Sequence, residues 1–239
     1  MAVITISRQY ASGGNEIALR VCERLGYRIF DKRLMVRAAA VLGLSEQEIF
    51  DFAETSYKAK SFLERVFGGS QDVAQVRLWK EDASGTRSVQ ELALSESAAL
   101  QLVQFAIRDA YQVGNVVIVG RGGQALLADE PDVLHVRVVA PEEERIQRVK
   151  EELRQARQAY KADIEVRRDA QDRIAMRDAA SAEYLSRFYN IRWDDPQHYH
   201  MVLNTGKLDV EEAADLILLA VEHLPERTLA CEILKDGQP

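Results

Sequence analysis

Val3-Ile4-Thr5-Ile6-Ser7-Arg8-Gln9-Tyr10-Ala11-Ser12-Gly13-Gly14-Asn15-Glu16 opens the chain almost at once with a run of β-branched, apolar residues, which reads as a buried strand. A loop of small residues follows. Ile17, Val21 and Leu25 then recur at helical spacing. Strand, glycine-rich turn and helix together aim backbone N–H groups and the positive end of a helix at an anion, most often a phosphate. The same glycines also suit a tight strand-to-helix turn with no ligand. Laid against the Walker pattern, the opening Gly falls on Arg8, the second Gly on Gly13, the Lys on Gly14 and the Ser/Thr on Asn15. The cradle is therefore expected to survive without its fixed cation and its metal-holding hydroxyl at their usual places.

Working outward, strands and helices alternate. Residues 27–30 read as a short second strand, and helices are expected over 32–42 and from Ser45 onward. Residues 55–90 lose periodicity and read as an inserted, mobile region with loops. A helix is expected from Ser95 to about Val113, followed by the apolar strand Val116-Val117-Ile118-Val119. An all-apolar strand is covered on both faces, as in a parallel sheet between helices. Arg121-Gly122-Gly123 lies at that strand's C-terminal edge, where such sheets bind ligands. Leu134–Ala140 is a further strand, and Glu142–Tyr189 is charged, helical and too long for one globular helix, so a helical hairpin is expected. Its arginines (Arg167, Arg168, Arg173, Arg177) read first as surface partners of Asp and Glu. A last strand at 199–203 precedes a helix capped by Asp209. The pattern is α/β: a three-layer architecture with a mostly parallel, five-stranded sheet and helical insertions.

Composition narrows the partners. The 239 residues, 47% hydrophobic and 29% charged, suit a globular chain, and a net charge of −7 argues against nucleic-acid polymers and membrane surfaces. Two cysteines, Cys22 and Cys231, are too few and too distant for a disulfide framework and read as reduced. With no signal peptide and no apolar run of the ~20 residues a membrane span needs, a cytoplasmic location is expected. His198 and His200 lie two apart with no further ligand nearby in sequence, so a structural role is expected for them.

Five pieces in order, ITISRQYASGGNEIA, GYRIFDKRLM, GNVVIVGRGGQALL, VLHVRVVAPEEERIQRV and RFYNIRWDDPQHYHMVLNTGKL, resemble the cytidylate kinase-like family. The resemblance implies that the three-layer α/β architecture is of the P-loop NTPase type. It implies one nucleoside monophosphate kinase-like domain over 1–239, with an acceptor-side insertion at 36–94 and a helical lid at 146–190. It implies transfer of the ATP γ-phosphate, with Mg²⁺, to a nucleoside monophosphate, normally CMP. Ser12, Gly13, Gly14 and Asn15 would hold the donor phosphates. Asp31, Arg37 and Arg121 would bind the acceptor, and Arg8, Arg177 and Asp178 would serve the transfer. The metal ligands stay open. The chain also departs from the family: Ala11 replaces a Gly, Asn15 a basic residue, Gly122 an acid and Ser181 a lid Arg. A weak or inactive nucleotide- or phosphate-binding regulatory module on the same fold is the alternative expectation.

Overall fold

The computed structural model describes residues 2–30, 72–81, 87–155 and 163–225, with the backbone alone for 72–81 and 87–99. The expected helices over 32–42 and from Ser45, the acceptor residues Asp31 and Arg37, and Cys231 lie outside the described residues.

The opening strand β1 (Val3–Arg8) is the middle of the molecule. The main sheet runs β2 (Arg28–Ile29), β5 (Val116–Val119), β1, β6 (Val133–Val139), β7 (Met201–Asn204), and every pairing in it is parallel. Val3 sits opposite Val116 on one side and Val133 on the other. Alternation along β1 separates two cores. Ile4 and Ile6 pack with Ile17 and Val21 of α1 (Gly14–Leu25) and with Ala213, Ala214 and Ile217 of the C-terminal helix. Val3 faces the other way, toward Leu102, Val103, Ala106 and Ile107 of α2 (Glu96–Val113). Helices on both faces make the three layers, as the apolar strands require. Ile4 and Ile6 are 0% exposed, so truncating either to Ala would cost about 2–5 kcal/mol.

Within the inserted region 55–90, expected to lack periodicity, the chain forms strands. β3 (Asp72–Glu81) and β4 (Arg87–Ser95) pair antiparallel as a separate two-stranded sheet, with Val76 opposite Leu92 and Arg77 opposite Glu91. The missed signal was a period of two, Ala74, Val76 and Leu78 alternating with Gln75 and Arg77, too short to stand out against helical windows. Residues 55–71 and 82–86 lie outside the described residues.

A short α3 (Gly123–Leu126) links β5 to β6, and α4 (Glu142–Gln155) and α5 (Asp163–Tyr189) then form the expected hairpin. Ile146, Val149 and Leu153 pack on Val166, Ala170 and Ile174, while Arg167 grips Glu143 with two bonds of 2.7 and 2.6 Å. That pair holds the Glu143 carboxyl down at about 2, and the side-chain bond from Gln147 adds to it. The final helix, α6 (Val210–Glu222), starts with a reciprocal cap: Glu212 N–H donates to Asp209 Oδ1 at 2.8 Å and Asp209 N–H to Glu212 Oε2 at 2.9 Å.

Candidate functional site

Parallel strands bring their C-terminal ends to one edge, and because β1 is central its end lies between those of β5 and β6. Three backbone bonds stitch that edge together. Gly120 N–H reaches Ile6 O at 2.9 Å, Gln9 N–H reaches Val138 O at 3.0 Å, and Thr205 N–H reaches Val139 O at 2.9 Å.

Above it, the loop from Arg8 to Gly14 turns into α1. Ser12 is fully buried and turned inward. Its N–H and hydroxyl both donate to Gln9 O, at 3.2 and 2.9 Å, so it shapes the loop. Ser12 still reaches the wall of the cavity described next. Among the described residues, the N–H groups of Gly13, Gly14, Asn15 and Glu16 donate to no protein acceptor, as the first turn of a helix dictates. They line a cavity of about 1030 Å³ together with Arg8, Arg177, Ser181 and the Thr205–Val210 segment.

Arg8 is the loop's cation. Its Nε donates to Asn15 Oδ1 at 3.1 Å, which also ties up the side chain standing at the Walker hydroxyl position. Burial lowers the Arg8 pKa from its ordinary value, and the nearby charges of Arg121 and Arg177 lower it further. Among the described residues no carboxylate lies within ion-pair distance of Arg8 or Arg177. Arg177 lies over the Tyr10 ring (5.0 Å) and Arg121 over the Phe30 ring (5.3 Å). Arg8, Arg121 and Arg177 thus lie near enough to feel one another's charge, although Arg121 is not among the residues of the cavity wall. Arg121 also holds a left-handed backbone (φ 58°), a conformation that non-glycine residues keep where the surroundings enforce it.

Asp178 is placed differently from a catalytic acid. One carboxylate oxygen accepts the Tyr10 N–H (2.8 Å) and the other pairs with Arg145, so Asp178 pins α5 to the loop. Ser181 lines the cavity, its hydroxyl turned back to Arg177 O at 3.0 Å. Gly122 explains its own departure: a Cβ there would stand 2.5 Å from the Tyr189 ring, on a backbone at φ 76°. The ring of Tyr189 occupies the room an acid would need.

Three contributors escaped the sequence reading. Arg148 donates to Ala11 O (3.2 Å), Thr205 Oγ1 (3.0 Å) and Thr205 O (2.9 Å). Thr205 in turn donates to Ser12 O at 2.7 Å. Arg145 completes the set. The i,i+3 spacing of Arg145 and Arg148 puts both on one face of α4, a signal available in the sequence but indistinguishable there from surface pairing. His135 and His200, by contrast, lie away from the cavity. Their rings stack at 5.1 Å, and His135 is hydrogen-bonded to Thr5 and Leu127 O. Among the described residues no group of three or more His, Cys, Asp or Glu could hold a metal ion.

An all-parallel α/β sheet with an amide-lined loop at the end of its central strand defines a P-loop kinase-like fold. The profile of the cytidylate kinase-like family matches residues 3–207, and the chain belongs to that family. A search of curated proteins finds none that matches. Among solved structures, an uncharacterized protein from Eubacterium ventriosum shares 18% identity at a TM-score of 0.59, over 93% of this chain and 99% of that one. A shikimate kinase from Bacteroides thetaiotaomicron shares 13% identity at a TM-score of 0.47, over 92% of this chain and 98% of that one. At 18% identity the likeness to the Eubacterium ventriosum protein is one of fold.

Proposed function

We propose that this chain is an ATP-dependent nucleoside monophosphate kinase with CMP as its acceptor, working as a single domain in the cytoplasm. The observation that carries the reading is the meeting of Arg8 and Arg177, neither with a carboxylate at ion-pair distance among the described residues, beside the amides of Gly13–Glu16, which donate to no described acceptor. In the transfer, an acceptor phosphate oxygen forms a bond to the ATP γ-phosphorus as the bond to the β–γ bridging oxygen breaks. The electron pair of the broken bond leaves with ADP. Such a reaction asks little covalent help and much positive charge around the moving group. The amides of Gly13, Gly14 and Asn15 would receive the donor phosphates, and Arg8 and Arg177 would face the transferred group. Arg121, and Arg37 with Asp31 by resemblance, would serve the acceptor. The α4–α5 hairpin would act as the lid that excludes water. Mg²⁺ entering with ATP would neutralise phosphate charge; the described residues include no group of three or more His, Cys, Asp or Glu that could hold it.

Turnover in a coupled assay across a panel of nucleoside monophosphates tests this reading: phosphorylation of CMP above the others supports it, and no turnover with any of them overturns it. A second reading, a nucleotide- or phosphate-binding regulatory module, draws support from Tyr189 standing where an acid would act and from Ser181 at the lid Arg position. It forecasts binding of nucleotide without turnover.

A further inference from the structure

A Walker loop begins with a glycine and places its lysine six positions on. Here the residues at those two places are Arg8 and Gly14. The structure gives the steric reason. A Cβ on Gly14 would stand 2.5 Å from Arg8 Cβ and 2.9 Å from Arg8 Cγ, so any side chain at 14 collides with the Arg8 stem. Further out, a Cβ on Gly120 would stand 2.5 Å from Arg8 Nη1. The Arg8 side chain therefore runs between two glycines, its stem against Gly14 and its head against Gly120. Asn15 Oδ1 fixes the Nε edge on the way, at 3.1 Å. There is room for a cation rooted at 8 or for one rooted at 14, and not for both.

We propose that in this chain the fixed cation and a glycine of the phosphate loop have exchanged places, with Arg8 doing from the start of the loop what a Walker lysine does from its end. The exchange moves the root of the cation, and it also changes the kind of cation. Arg8 carries its charge from the end of β1 to Gly120 at the end of β5, near enough to feel the charges of Arg121 and Arg177. A guanidinium there can hold two phosphate oxygens at once, which a lysine ammonium does as a point charge. Asn15 is then a positioning residue: its carbonyl occupies Nε and leaves the terminal N–H groups for the ligand. Gly14 follows from the same geometry, since it is the hole that the Arg8 stem fills. This inference rests on the phosphate-loop reading of the cavity and deepens it.

The test uses the full chain, with inorganic tripolyphosphate as the calorimetric probe and thermal melting as the control for folding. Arg8→Gln keeps the stem against Gly14 and removes the charge; tripolyphosphate affinity is expected to fall by at least ~10-fold with little change in melting. Gly14→Lys alone should lower both melting temperature and affinity, because the stem is still in the way. Arg8→Gly combined with Gly14→Lys rebuilds the usual arrangement and should recover affinity to within ~3-fold of the parent, well above either single change. Affinity unchanged in Arg8→Gln overturns the proposal, and so does a double variant no better than Gly14→Lys in both melting and binding. If the parent chain itself fails to bind tripolyphosphate, the phosphate reading of the cavity falls and this proposal with it. Binding by the parent with an indifferent Arg8→Gln defeats the exchange alone.

Discussion

Asp178 on α5 accepts the backbone N–H of Tyr10 at 2.8 Å, joining residues 168 positions apart in sequence. Its second oxygen pairs with Arg145, whose side chain is 9% exposed. One carboxylate thus links α5, α4 and the Arg8–Gly14 loop. Asp178→Ala would strand the Tyr10 N–H and leave a nearly buried guanidinium without its partner, at a cost of about 2–4 kcal/mol. Denaturant melts should read that loss, and hydrogen exchange should rise in Tyr10–Gly14 and in α5 together. Unchanged exchange in the loop would mean that the tie does not couple the two elements.

The second prediction concerns pH. His135 is buried, donates one ring nitrogen to Leu127 O and accepts Thr5 at the other, so it is held neutral. Burial, and then the neighbouring His200, push its pKa from 6.5 down to about 4. Between those values the unfolded chain binds the extra proton and the folded one does not. Stability from this group is therefore complete above pH 6.5 and falls as pH drops toward 4. Roughly 2 kcal/mol should be lost by pH 5 relative to pH 7.5. Urea melts across that range check it, and His135→Gln should flatten the slope.

The loop also stores strain. Ala11 adopts φ 60°, a left-handed conformation in which a Cβ is unfavourable by about 1–2 kcal/mol. Ala11→Gly relieves it but adds flexibility to the unfolded chain, worth about 0.5–1 kcal/mol. The net expectation is a gain of up to ~1 kcal/mol, seen as a small rise in melting temperature.

Restoring the acid that relatives carry after Arg121 should fail. Gly122→Asp puts a side chain into the Tyr189 ring on a backbone at φ 76°. Destabilisation of about 2 kcal/mol or more, with no gain in turnover, is expected from strain and overpacking together. A stable variant with faster turnover would show that Tyr189 moves aside freely.

Ser181 is the better place to add charge. It lines the cavity beside Arg177, and its hydroxyl bonds only a backbone carbonyl among the described residues. Charge on the phosphoryl group reorganises toward the transition state, so a cation aimed there acts on rate more than on binding. Ser181→Arg should raise turnover with CMP by about 10-fold, near 1.4 kcal/mol of barrier, with a smaller change in CMP affinity. The same change at Asn15 is expected to do harm, because Arg8 Nε would lose its acceptor.

The sequence by itself determined the layers and their order. Apolar strands such as Val116–Val119, caps such as Asp209 with Glu212, and the break between α4 and α5 act over a few residues, and neighbours in the chain set them. It also placed the phosphate loop, since strand, glycines and helix follow one another directly. The β3–β4 pairing escaped because clean alternation is confined to Ala74–Leu78 and the partner strand is a separate segment of the chain. The roles of individual side chains were decided by tertiary structure alone. Gly14 reads as a residue of the phosphate cradle until its Cβ position is found taken by the Arg8 stem, and Gly122 reads as a lost acid until Tyr189 is seen in its place. Asp178 reads as a catalytic group until both oxygens are found engaged by Tyr10 and Arg145. Arg145 and Arg148 carry the pattern of a solvated helix face, and only the docking of α4 against the loop turns them inward. Apart from Arg8 with Gly14, each of these contacts joins residues distant in sequence, so they arise from how the elements pack and leave no periodic mark along the chain.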